Sequence, residues 1–255
     1  MRSTVVTVLL LAVATRAGAA PAGPTDLVAR PLVLARGHFV AEATIEIGLL
    51  YSGRPISLAP DAWVGVTDRW TVGVIHSNQS VDRIDAGASF CLRHDDITCV
   101  RTYRGSGLDV RYGWLSGHLA VAPRLRVLDR DLGPVKPAVM LGALLRWTHG
   151  RYAITSDPYL RLGLANRERG NRDAIMLPVW LALQPTCRWA ISLHTGFNSD
   201  LAVIRDGWHV PVTLGVRARA TAEIDVGVEA GFTSLLGPQN NAKQAAIAAS
   251  IAWRH

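Results

Sequence analysis

Apolar and polar residues alternate most cleanly in the C-terminal third of the chain. Between Gly207 and Thr233, Trp208, Val210, Val212, Leu214 and Val216 fall on one face of an extended segment, with His209, Thr213, Gly215 and Arg217 on the other. After a short polar turn, Ile224, Val226, Val228, Ala230 and Phe232 alternate with Glu223, Asp225, Gly227, Glu229 and Gly231. Successive side chains of a strand point to opposite faces, so the pattern predicts a β-hairpin with one apolar and one charged side. Each arm has roughly the 9 to 11 residues that a tilted strand needs to cross a bilayer. Two architectures accept such a hairpin: a sandwich, which hides the apolar row between sheets, and a transmembrane barrel, which turns it to lipid.

The same alternation recurs along the chain. It predicts strands near 37–51, 56–66, from 70, 107–115, 118–128, 137–147, 151–165, 173–184, 189–198, the hairpin itself, and 243–253. That is about twelve strands if the polar stretch 76–106 is one long surface loop, and fourteen if it supplies two; single-chain bacterial barrels are even-numbered. Prolines 123, 137, 158, 178 and 211 lack the ladder N–H, so their strands are expected to bulge or pair irregularly. Residues 173–184 are apolar on both faces, which also suits a soluble core strand. The aromatics sort into two groups. Phe39, Trp70, Trp114, Trp147, Tyr152, Trp189 and Trp253 fall beside short turns or chain ends, and Tyr51, Phe197, Trp208 and Phe232 fall at the opposite strand ends. Two such belts suit a membrane with two interfaces and have no counterpart in a sandwich. The long connections, about 129–136, 166–172, 199–206 and 234–242, then share one side, the extracellular one.

The N-terminus adds a destination. Met1 and Arg2 precede an apolar run, Val5 to Ala14, and the small residues Ala17-Gly18-Ala19, a pattern expected of a cleaved signal peptide spanning 1–19. Residues 20–36 read as an extended periplasmic lead-in, and 37–255 as the barrel. The chain is 49% hydrophobic over 255 residues, yet no segment approaches the length of apolar helix that spans a bilayer. Loss of Arg2 and Arg16 with the leader lowers the formal charge of +7 by two. The remaining basic excess suits anionic lipid, and no basic cluster with interleaved aromatics points to nucleic acid. The run Trp63 to Val74, Trp-Val-Gly-Val-Thr-Asp-Arg-Trp-Thr-Val-Gly-Val, resembles the periplasmic hairpins of bacterial outer-membrane β-barrel proteins. With the leader, that resemblance implies a Gram-negative-type envelope, an all-β up-and-down barrel in the outer membrane, and insertion by the barrel assembly machinery. It selects no single family.

Candidate chemistry is sparse. Cys91 and Cys99 flank a polar stretch, and an oxidising compartment would pair them as a disulfide. His94, Asp95 and Asp96 between them match no standard zinc spacing. No cofactor motif is visible. Residues expected to face the lumen form two walls: acidic Glu42, Glu46, Asp61, Glu223, Asp225 and Glu229, and basic Arg111, Arg124, Arg126, Arg146 and Arg161, with Asp109 and Asp157 among the latter. Facing walls of opposite sign would set a transverse field across a narrow pore for small solutes. The alternative is that these chains reach across and plug a structural or adhesive barrel. Outer-membrane lipid hydrolases offer a further comparison, with His and Ser two residues apart on one lipid-facing side of a strand. Here His76-Ser77 are adjacent, His194-Thr195-Gly196 lacks the serine, and His194 is expected in the lumen, so no catalytic residue is assigned.

Overall fold

The computed structural model describes residues 27–49, 54–76, 90–93, 101–238 and 245–255. Within them the alternating stretches form β1 (Phe39–Gly48), β2 (Ile56–Gly65), β3 (Trp70–Ile75), β4 (Phe90–Arg93), β5 (Ser106–Tyr112), β6 (Leu119–Leu132) and β7 (Val135–His149). They continue with β8 (Tyr152–Ser156), β9 (Tyr159–Gly163), β10 (Ala174–Thr186), β11 (Trp189–Asp200), β12 (Val210–Arg219), β13 (Ile224–Leu236) and β14 (Ala245–Arg254). Each barrel strand pairs antiparallel with its neighbours in chain order. β14 returns to β1 in an unbroken register from Val40↔Arg254 to Gly48↔Ala246, which closes the ring.

Twelve strands close the barrel, because β8 and β9 are one strand in two pieces. Both lie between β7 and β10, and they part at Asp157-Pro158. β4 is additional: it pairs with Ile56 to Leu58 of β2, above the point where β3 ends. Prolines leave other marks. Pro211 sits inside the register shift between Val210 and Val212, and Pro137 adjoins the shift between β6 and β7. Pro123 and Pro178 sit in unbroken pairings with Ala143 and Gly196, contrary to the irregularity expected of every proline. A strand residue's N–H serves only one neighbour, so a proline can weaken one ladder and spare the other. The β6–β7 connection also differs from expectation. Both strands run on past Asp129 and Lys136 and meet in a tight turn at Gly133-Pro134.

The apolar rows face outward. Leu214 is 64% exposed, Val228 52% and Ile251 51%, while Thr213, Asp225 and Thr44 on the other face are buried. A sandwich would hide those rows between its sheets; here they form a continuous outer belt, and among the described residues no second layer covers the sheet. Exposed Trp70, Trp114, Trp147, Trp189 and Trp253 ring the end that carries the short turns and both ends of the barrel sheet. Phe39 packs edge-on against Trp253 with ring centroids 5.6 Å apart, and Trp70 lies 4.9 Å from Tyr112. Phe197 and Trp208 stack at the opposite rim, 6.1 Å apart. Tyr51 lies outside the described residues. Short turns mark the periplasmic end of such barrels.

Residues 27–36, the described part of the segment expected as a lead-in, reach into the barrel. Val28 is buried with Ala153 of β8 and Ala190 of β11, and Ala182 of β10 packs against them. The Val28 N–H donates to Gln184 Oε1 at 3.2 Å. Arg30 pairs with Asp225 of β13, one of its bonds measuring 2.8 Å. The Leu34 N–H reaches Thr71 Oγ1 of β3 at 2.7 Å, and the Arg36 N–H reaches Asp68 at 3.1 Å. Gly65 of β2 is where this crossing meets the wall: a Cβ there would run into the Ala35 carbonyl. β10 and β11 stand nearly opposite β2 and β3 in the ring, so residues 27–36 span the periplasmic mouth along a diameter. They also account for the doubly apolar β10, whose inward Ala182 meets this segment and whose Met176 meets Tyr159.

Candidate functional site

The lumen is divided between a filled side and an open side. The filled side is built on β5, β6 and the β8–β9 break. Asp109 accepts from Arg124 Nε at 2.5 Å and Nη2 at 2.8 Å, from Arg111 Nε at 2.8 Å, and from Trp63 Nε1 at 2.8 Å. Asp157 accepts from Arg124 Nη1 at 2.6 Å and Arg126 Nη2 at 2.9 Å. Cross-strand register brings these groups together, for Asp109 stands opposite Arg126 and Arg111 opposite Arg124. Trp63 reaches Asp109 across β3 because Gly73 lies between them; a Cβ on Gly73 would run into the indole. The Arg111 guanidinium lies 4.8 Å over the Trp63 ring and that of Arg126 lies 5.6 Å over Tyr159. Three arginines expected as one basic wall are therefore paired with two carboxylates of that same wall, which offset all but one of their charges. Their partners lie within reach on adjacent strands, whereas the acidic wall lies across the lumen.

The acidic residues are dispersed. Glu42 takes Arg217 Nη2 at 2.8 Å, and Asp225 takes Arg30 and Arg254, the latter at 3.0 Å. Glu229 accepts from Thr213 Oγ1 and lies 3.3 Å from His194 Nδ1. Asp61 accepts the His76 N–H at 2.6 Å, and Glu46 is buried on the inner face of β1. Glu223 is not in the lumen: it is exposed in the periplasmic turn after β12 and takes Trp253 Nε1 at 3.2 Å. The alternation placed it inward because it was counted as the first residue of its strand, which begins at Ile224. Arg161 sits in the extracellular half, 3.5 Å from Asp200. Arg146 stands apart on β7, 7% exposed and without an ion pair among the described residues.

On the open side lies a cavity of about 380 Å³, bounded below by residues 27–34 and lined by Glu42, Arg146, Trp180, His194 and Arg217. His194 is in the lumen, as the alternation indicates, with its ring stacked 4.3 Å from that of Trp180. His76 lies with its ring against Phe90 and its Nδ1 2.5 Å from the Pro60 carbonyl. Ser77, Cys99, His94, Asp95 and Asp96 lie outside the described residues, and the expected cysteine pairing falls on Cys99; Cys91 itself is buried on β4. Cys187 is a free, exposed thiol in the turn after β10. Sequence reading missed the luminal course of residues 27–36. Its signal was there, in the apolar Leu27, Val28, Leu32, Val33 and Leu34 set among Arg30 and Arg36.

No protein-family model and no curated protein matches the sequence. Solved structures do match the fold. The COG4313 outer membrane channel from Pseudomonas putida F1 superposes with a TM-score of 0.56 at 11% identity, covering 92% of this chain and 100% of that one. The NanC porin gives 0.55 at 8% identity over 84% and 98% of the two chains. The KdgM porin, solved in complex with disordered oligogalacturonate, gives 0.54 at 7% identity over 85% and 98%. At these identities the likeness is one of architecture. Together with the outward apolar belt and its aromatic rims, it makes this chain a twelve-strand transmembrane β-barrel with the fold of bacterial outer-membrane channels.

Proposed function

We propose that this barrel is a narrow porin-like channel for small solutes, with a transverse field across its open side. The observation that carries the reading is the cavity of about 380 Å³, lined by apolar and charged residues, left in a lumen of a size that side chains could fill. Charges of both signs face it: Arg146 on β7 from one part of the ring, and from the opposed part Glu229 on β13 and Glu42 on β1, the latter paired with Arg217. Such a field orients dipolar or charged solutes and sets selectivity. The arginine–aspartate cluster narrows the passage from one side and acts as fixed wall. Lipid is the surrounding partner, and the barrel assembly machinery the inserting one.

One observation favours a second reading, a plugged structural or adhesive barrel: residues 27–36 cross the periplasmic mouth and are tied at both walls. Single-channel recording separates the two. Protein refolded to a heat-modifiable β-rich species is expected to give small conductance steps in planar bilayers. Silent bilayers with fully folded protein would support the plug. Phospholipid hydrolysis lost in His76→Ala would instead point to an enzyme.

A further inference from the structure

Five inward residues lie side by side on the open wall. The registers run Arg146↔Thr155, Thr155↔Trp180, Trp180↔His194 and His194↔Thr213, so one residue from each of β7, β8, β10, β11 and β12 forms a continuous ledge. Adjacent strands are about 4.8 Å apart, which places Trp180 roughly 10 Å along the ledge from Arg146. All five line the cavity. At one end Arg146 is more than nine-tenths buried, and its buried Nε has no hydrogen-bond partner. In the middle Trp180 presents an aromatic ring whose stacking on His194 fixes its plane, 23° from that of the imidazole. At the far end His194 is anchored through Nδ1 by Glu229, and its Nε2, also buried, is unpartnered.

A buried cation without a counter-charge is costly, and Arg124 and Arg126 of this lumen each have a carboxylate. The group that Arg146 lacks is an anion, and a guanidinium fork matches the two oxygens of a carboxylate. One to two strand spacings away the ledge offers a rigid apolar ring face, the kind of surface on which the flat side of a ring packs. We propose that this ledge is a solute-binding constriction for a small ring-bearing carboxylate. The carboxylate sits on Arg146 and the ring on Trp180, with Thr155 alongside for a polar substituent. The cavity volume is near the lower end of the roughly 300–1,000 Å³ that ligand sites enclose, so the solute is a single ring and not a chain of them. Glu229 at the far end disfavours a second carboxylate there. The inference rests on the channel reading for its physiological meaning, but binding can be measured without transport.

The probe is benzoate, with benzyl alcohol as its neutral counterpart. Saturation-transfer NMR on folded, detergent-solubilised protein is expected to show benzoate binding and none of the alcohol. Arg146→Gln should weaken benzoate by at least tenfold, the loss expected when a hydrogen bond to a charged group is removed, and Arg146→Lys should recover only part. Trp180→Leu should weaken benzoate while leaving it preferred over the alcohol. Absence of binding to wild type, or equal binding to Arg146→Gln, overturns the proposal. If Arg146→Gln does not become heat-modifiable, Trp180→Leu decides, and unchanged benzoate affinity there overturns it. Benzoate binding without conductance steps in KCl upholds the ledge and removes the channel. Conductance steps without benzoate binding remove the ledge and leave the channel.

Discussion

Asp109 shows what a side chain's surroundings add to its direction. It is fully buried and receives Trp63 together with three arginine side chains, so it is the counter-charge around which that half of the lumen is packed. Removing one member of a buried ion cluster leaves the others uncompensated, at about 3–5 kcal/mol. Asp109→Ala is therefore expected to lower stability to urea by about that amount, whereas the exposed Glu223→Ala should change it little. Equal, small effects would mean that water fills the cluster. Inward or outward direction was legible for nearly every residue here, since a strand admits only two choices. Partner choice was not. It depends on the stagger between strands and on how far each side chain reaches, and neither is written in a period of two. Hence Arg124 and Arg126 were expected to face a distant acidic wall when Asp109 and Asp157 lay beside them.

Among the elements, strands were easier to read than the segment that has no partner strand. The twelve staves follow from alternation and turn residues, and the break at Asp157-Pro158 follows from a missing N–H. Residues 27–36 carry no period, so nothing in their spacing says that they run indoors. They are held by a few hydrogen bonds and one ion pair, far fewer than any strand, which makes them the element most readily displaced. Arg30→Glu sets two carboxylates against each other at Asp225 and should release this crossing. Larger conductance steps than wild type, with unchanged heat-modifiability, are the expected result. Steps of the same size would show that the solute path avoids this segment.

Considered whole, the molecule is inverted relative to a soluble protein: its largest apolar groups lie outside and its charges within. Leu214, near the middle of β12 and 64% exposed, tests this most directly. Leu214→Arg should cost about 2–4 kcal/mol for unfolding from a bilayer, as expected for a basic residue on the lipid face near the midplane. At a water-exposed surface the same change is nearly neutral, so a negligible effect in vesicles would contradict the membrane location.

The pairing of β1 with β14 has a bearing on how the protein is made. Val40 of the first barrel strand finds its neighbour in Arg254 of the last. Until β14 docks, one edge of β1 has its hydrogen-bonding groups unmatched, a template for any stray chain. Closure of the ring thus hangs on one pairing, and loss of all of β14 would leave an unsealed seam running the full height of the wall.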